Sequence, residues 1–200
     1  MLALYQATGE LRWLTEGTAL IDHAIEHYSD RSIEAEAVTG FFDTADDAGA
    51  LILRPRDPTD GAAPSGLSSI THALLTAAAI TGRSTYRLLA ESSVNSVAEL
   101  VSQFPRSAGW HLSAAEALRA GPLQIAVVGE PGAPRDALAG IARRYAPAGS
   151  VIDTGRPDEP GRALLLGRPA LGGEPTAYVC RGFVCDRPVT TAADLRALLS

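Results

Sequence analysis

Charged side chains crowd one short stretch of this chain: Asp43, Asp46, Asp47, Arg54, Arg56, Asp57 and Asp60. Arg54 and Arg56 flank Pro55, which biases the backbone before it to an extended form, so both guanidinium groups are expected on the same side. Carboxylates beside paired planar guanidinium groups can grip hydroxyls, and a carboxylate of raised pKa can act as general acid or base. A solvated turn closed by an Arg–Asp clamp accounts for the same residues and is the commoner arrangement.

Other chemistry-bearing residues are sparser. His23 and His27 lie four apart on one predicted helix, a spacing that can hold a metal. No third ligand stands near them, both fall off the apolar stripe, and no metal site is expected. His72 falls inside an apolar helix and reads as a core histidine; His111 follows Trp110. Cys180 and Cys185 are separated by four residues, outside both the Cys-x-x-Cys redox spacing and the zinc-ribbon spacing. Cys180 ends an apolar run and reads as a small core residue, while a turn at Gly182 leaves open a reversible disulfide. Gly129-Glu130-Pro131-Gly132 sits where a phosphate loop would, but it lacks the glycine spacing and the lysine, and Glu130 opposes an anion. No cofactor is expected.

The elements that position these groups divide near residue 121. Leu2 to Gly9 reads as the last turns of a helix with a glycine C-cap, so the chain is expected to begin inside a domain. Leu11, Leu14, Thr18, Ile21, Ile25 and Tyr28 form one helical stripe. Residues 65–81 predict a helix buried nearly all round, 85–104 a single long helix ended by Pro105, and 112–120 a short one. Residues 40–44 and 50–54 predict two short strands around the turn Asp46-Asp47-Ala48-Gly49. Ala7-Thr8-Gly9 and Ile80-Thr81-Gly82 sit at equivalent places, as in a repeated helical hairpin, and a few such hairpins alone would leave an apolar flank bare. From Leu123 the pattern changes. Residues 123–128 and 150–153 predict parallel strands around a helix at 133–145, with further strands at 163–166 and 176–180. Thr191 caps a last helix at 192–199, with Asp194 at the capping-box position.

Bulk properties narrow the function. A net charge of −6 with 17 scattered basic residues speaks against nucleic acid. The longest apolar run, near Ala73 to Ile80, falls well short of the about 20 residues a membrane span needs. With two cysteines and no leader-like start, a cytoplasmic protein is expected, with no membrane partner.

Four segments together resemble one family: Gly40-Phe41-Phe42-Asp43-Thr44, Leu53-Arg54-Pro55-Arg56, Asp60-Gly61-Ala62-Ala63-Pro64-Ser65-Gly66, and Pro175-Thr176-Ala177-Tyr178-Val179-Cys180 with Cys185-Asp186-Arg187-Pro188-Val189-Thr190. It is the thioredoxin-domain-containing family typified by spermatogenesis-associated protein 20, and the resemblance spans nearly the whole chain in the family's order. It implies a mostly α fold with a C-terminal α/β segment. Residues 1–121 would be the C-terminal hairpins of an (α/α)6 toroid of the six-hairpin glycosidase type, and 122–200 a small α/β subdomain with a parallel or mixed sheet. The early hairpins and a thioredoxin-like domain would then be supplied in cis or in trans. A small carbohydrate ligand follows by analogy of fold. The matched positions make Asp43 and Asp60 candidate catalytic residues and Arg54, Arg56 and Ser65 candidate substrate-binding residues. Cys180 and Cys185 remain redox candidates, and a non-catalytic scaffold is the competing reading. Leu67 stands where the family has Asn, which puts one ligand contact in doubt.

Overall fold

The computed structural model describes residues 1–30, 40–49 and 51–199. The protein is mostly helical, with a small mixed sheet of four strands toward its C-terminus. Two compact units emerge. One comprises residues 1–14, 79–82 and 121–200, the other residues 15–78 and 83–120. The sheet unit therefore includes more than residues 122–200. Among the described residues no helix is long and apolar enough to cross a membrane.

In the sheet unit the strands are β1 (Leu123–Val128), β2 (Val151–Gly155), β3 (Thr176–Arg181) and β4 (Val184–Cys185), ordered β2-β1-β3-β4. β1 and β2 are parallel around helix α7 (Ala133–Tyr145), as the apolar run at 123–128 predicts, while β3 runs antiparallel to β1. That run is continuous because both faces of the strand are covered. Ala126 and Val128 face a cluster with Tyr5, Leu14, Ile80, Leu164 and Leu165. Ile125 and Val127 face α7 and the terminal helix α8 (Ala192–Leu199) through Leu138, Ala142, Leu195 and Leu199. Thr191 caps α8 as expected, accepting from the Asp194 N–H at 3.1 Å and donating to its carboxylate at 2.6 Å.

Residues 163–166 are not a strand; Ala163–Leu165 form a 3-10 turn. A strand would send Leu164 and Leu165 to opposite faces, whereas the turn buries both fully in one cluster. The first helix (α1, Leu2–Thr8) ends at Gly9 with φ 71°, the left-handed cap expected there.

The other unit holds the remainder of α2 (Leu11–Tyr28) and α3 (Gly66–Thr81), together with α4 (Ser84–Ser96), α5 (Ala98–Gln103) and α6 (Gly109–Ala120). The single helix expected over 85–104 is two, broken at Val97 with φ −111°. Serines cause the break: Ser93 and Ser96 turn their hydroxyls onto the Leu89 and Ser93 carbonyls, offering the backbone an alternative to the helix. α3 is buried on one side only, since Ser69 is exposed and Ile70 and Ala73 are half-buried. α6 starts at Gly109, earlier than 112.

Neither 40–44 nor the described residues of 50–54 form strands; Ala50 lies outside the described residues, and Phe41 makes one isolated bridge with Ser29. Backbone accounting gives the reason. The last carbonyls of α2 have no partner inside the helix, and the loop supplies donors to them. Phe42 N–H reaches Tyr28 O at 2.8 Å and Asp46 N–H reaches His27 O at 2.9 Å. The loop folds against the helix end instead of pairing with itself.

Candidate functional site

All five candidate residues of the charged loop lie in the hairpin unit, and most are engaged in holding it. Arg54 donates to His27 O at 2.9 Å and Thr44 O at 2.6 Å, and its guanidinium lies 4.2 Å from the centre of the Phe42 ring. Arg56 pairs with Asp30 at 2.9 Å. Its guanidinium also fills the space at Gly40, where any Cβ would collide with it. As expected from their spacing around Pro55, both arginines reach the same region, the C-terminal end of α2.

Asp60 is the most heavily used group. One carboxylate oxygen accepts from the Ser65 N–H at 3.0 Å and the Ser68 hydroxyl at 2.8 Å. The other accepts from the Trp110 N–H at 2.8 Å and the His111 N–H at 3.2 Å. Asp60 thus serves the N-terminal donors of α3 and α6 together, and Ser65 completes the α3 cap by accepting from the Ser68 N–H at 3.1 Å. Burial alone would raise the Asp60 pKa. The Ser65, Ser68 and His111 donors outweigh it, and the carboxyl sits below its ordinary value. A general acid needs the opposite shift.

Ser65, His111 and Asp60 are residue types that elsewhere form a nucleophilic triad, but here they are wired differently. The nearest acceptor for His111 Nε2 is Pro58 O at 2.8 Å, while the Ser65 hydroxyl lies at 3.3 Å. His111 Nδ1 has no hydrogen-bond partner among the described residues, and Asp60 binds the backbone N–H of His111 rather than its ring. Among the described residues no carboxylate orients the imidazole, so they do not form the relay that activates a serine. Sequence reading had no means of finding this cluster beyond the Ser65 start signal, because Asp60 and His111 are joined only by the fold. Leu67, at the position where the resembled family has Asn, is buried within the unit and 2% exposed.

Asp43 is placed differently. It is exposed, accepts the Asp57 N–H at 2.8 Å, and lines a groove of about 640 Å³ between α2 and α3. Tyr28 and Phe42 supply ring surface there, Ile21 and Ile70 the walls, and Ser69 a second polar group.

His72 is half-buried rather than a core residue and bonds Trp110 O at 3.0 Å. The His23 and His27 rings lie 4.5 Å apart on α2, tilted by 47° to one another. The loop brings Asp46 to His27 Nδ1 at 2.8 Å, with Asp47 at 3.8 Å, a neighbour that helix spacing does not reveal. Those three residues are the described side chains close enough to share a cation, and their ion pair already accounts for them. Hydrogen bonding to Asp46 raises the His27 pKa despite the opposing effect of desolvation. His27 should therefore titrate above about 6.5 by NMR, and Asp46→Asn should return it toward that value. The sign follows: this pair stabilises the fold fully below the unfolded histidine pKa and loses its effect as pH rises through the folded one. An unchanged titration in Asp46→Asn would refute the pairing.

In the sheet unit the two cysteines face each other across the β3–β4 pair and form a disulfide. The turn between the strands is Gly182-Phe183, with φ 55° and 67°, the paired positive values of a tight hairpin turn. The Gly182 turn does bring the sulfurs together.

No protein-family model, curated protein or solved structure matches this chain.

Proposed function

We propose that this chain is the C-terminal part of a thioredoxin-domain-containing, six-hairpin glycosidase-like protein, and that the groove between α2 and α3 takes a small carbohydrate. The observation that carries the ligand reading is the make-up of the groove: the Tyr28 and Phe42 rings stand beside the exposed Asp43 carboxylate in a space of about 640 Å³. A pyranose presents an apolar C–H face that packs on aromatic rings, and its hydroxyls donate to a carboxylate. With Asp43, Ser69 and Tyr28 as the lining residues that carry polar side-chain groups, the favoured ligand shows a broad C–H face and few hydroxyls to the wall. Exposed apolar side chains support the larger toroid. Leu20 is 57% exposed, Leu88 61% and Phe104 59%, as expected of hairpins that pack against further helices.

One observation favours the competing scaffold reading. Arg54, Arg56, Asp60 and Ser65 are all engaged in tying the loop and capping helices, which a non-catalytic protein also needs.

Thermal unfolding with a panel of mono- and disaccharides separates the two. A ligand at 100 times its Kd stabilises by about 2.7 kcal/mol, a rise of several degrees in Tm. Phe42→Ala and Asp43→Asn should abolish that rise; the latter keeps an acceptor for the Asp57 N–H. No rise with any sugar leaves the scaffold reading in its place.

A further inference from the structure

The Cys180–Cys185 disulfide has an unusual neighbour. Arg168 is 6% exposed, and its Nη2 donates toward Cys185 Sγ at 3.4 Å and Cys180 Sγ at 3.7 Å. Its Nη1 donates to Leu166 O at 3.0 Å, and its Nε has no hydrogen-bond partner among the described residues. Among the described residues no carboxylate pairs with it, whereas the other buried arginine of this unit, Arg162, is paired with Asp153 at 2.8 Å. A buried cation without an anion is costly, and disulfide sulfurs are weak acceptors. Burial accordingly pushes the Arg168 guanidinium below its ordinary pKa, with the nearby Tyr178 opposing.

A purely structural disulfide would gain little here. It closes a loop with a sequence separation of 5, between residues that are already partners across a hairpin, and the stabilisation from cross-linking is smaller the shorter the loop. Reduction, by contrast, supplies the anion that Arg168 lacks. Access is one-sided. Cys180 is 2% exposed, whereas Cys185 is half-buried and opens on a cavity of about 400 Å³ lined by Leu166, Arg168, Tyr178, Phe183 and the exposed Asp186, whose carboxylate forms no ion pair with Arg168 among the described residues.

We propose that Cys180–Cys185 is a thiol–disulfide exchange centre that accepts two electrons from a dithiol on a partner protein, with Cys185 the sulfur attacked and Arg168 the cation that receives the leaving Cys180 thiolate. A partner thiolate entering the cavity bonds to Cys185 Sγ as the Cys180–Cys185 bond breaks. The electron pair leaves on Cys180 Sγ beside Arg168. The partner's second thiol, deprotonated, then attacks its own sulfur in the mixed disulfide and releases Cys185 as thiolate. Cys185 takes the proton given up by the partner's second thiol, so the partner ends as a disulfide and this chain as a Cys185 thiol beside a Cys180 thiolate. This site is independent of the sugar-binding groove.

Equilibrating the full chain with graded mixtures of reduced and oxidised dithiothreitol tests the role of Arg168. Arg168→Met should favour the disulfide about tenfold over wild type, about 30 mV for a two-electron couple, and Arg168→Lys should keep most of the wild-type value. The reduced wild-type chain gives a second readout that needs no variant. Its ultraviolet thiolate absorbance, which sees the buried Cys180 as well as Cys185, should show a step with a pH midpoint below the ordinary thiol value of about 8.5. In Cys180→Ser, oxidised glutathione should trap Cys185, and in Cys185→Ser it should leave the buried Cys180 unmodified. A wild-type thiolate absorbance with no step below that value, an equilibrium constant in Arg168→Met within about twofold of wild type, or trapping at Cys180 would each overturn the proposal.

Discussion

Replacing Asp60 with alanine is expected to destabilise the hairpin unit by about 3–5 kcal/mol. Its carboxylate is 7% exposed and accepts from four donors, three of them backbone N–H groups at the starts of α3 and α6. The substitution strands the three backbone donors while leaving the apolar packing nearly unchanged, and the Ser68 hydroxyl keeps its bond to Ser65 O. Urea unfolding followed by hydrogen exchange in α3 and α6 reads the loss directly. For an unfolding slope of about 2 kcal/mol per molar, the midpoint should fall by about 2 M. Ser68→Ala, which removes one of the four donors together with its own carbonyl bond, should cost only about 1 kcal/mol. The acid limb of stability carries the same signature. The native carboxyl sits below its unfolded value, so Asp60 contributes fully above about 3.9 and the contribution fades as pH falls through the native pKa. Asp60→Ala should flatten that limb. A loss under about 1 kcal/mol would mean that water can replace the carboxylate at these helix starts.

In the sheet unit the largest expected effect is at Arg162. Its guanidinium is 5% exposed and bonds Asp153 at 2.8 Å, where the carboxylate is 1% exposed. It also reaches Glu159 at 3.1 Å, Thr154 O at 3.1 Å and Gly9 O, while Tyr5 donates to the second Asp153 oxygen at 2.6 Å. Arg162→Met should cost about 3–5 kcal/mol, because it leaves a buried carboxylate with the Tyr5 hydroxyl as its chief support. Burial already raises the Asp153 pKa, and the Tyr5 hydroxyl and Arg162 hold part of that rise back. Without Arg162 the carboxyl pKa climbs further. A raised native pKa favours the fold at low pH and loses that advantage as pH rises through it, so the variant should be weakest in alkali and partly recover in acid. Adding Asp153→Asn should restore much of the loss at neutral pH, since no charge is then left behind. Purely additive losses in the double variant would argue against a coupled pair.

Local signals marked the elements well where one residue type decides them. Gly9 at the end of α1, Thr191 and Asp194 at the start of α8, and the unbroken run of β1 each report a short-range constraint, and each is met. Distant partners escaped such reading. Nothing near Tyr5 announces Asp153, and nothing near Asp60 announces the N–H groups of Trp110 and His111. Residues 40–44 look like a strand because Phe41 and Phe42 have high strand propensity, but their donors are claimed by the open carbonyls of α2. Leu164 and Leu165 are an apolar pair whose period is too short to tell a strand from a turn. At the candidate site, residue type marked the concentration of charge between Asp43 and Asp60 and did not mark the rings of Tyr28 and Phe42. It could not say that Asp60 is saturated with donors while Asp43 stays exposed.

The hydrogen bond from Tyr5 to Asp153 spans 148 positions of the chain. A ribosome adds about 5–20 residues per second, so α1 emerges roughly 7–30 s before the strand it will rest on. During that interval its apolar side has no native surface to cover it. The sheet unit is therefore assembled late in synthesis, and α1 is the segment for which a chaperone that shields nascent helices matters most.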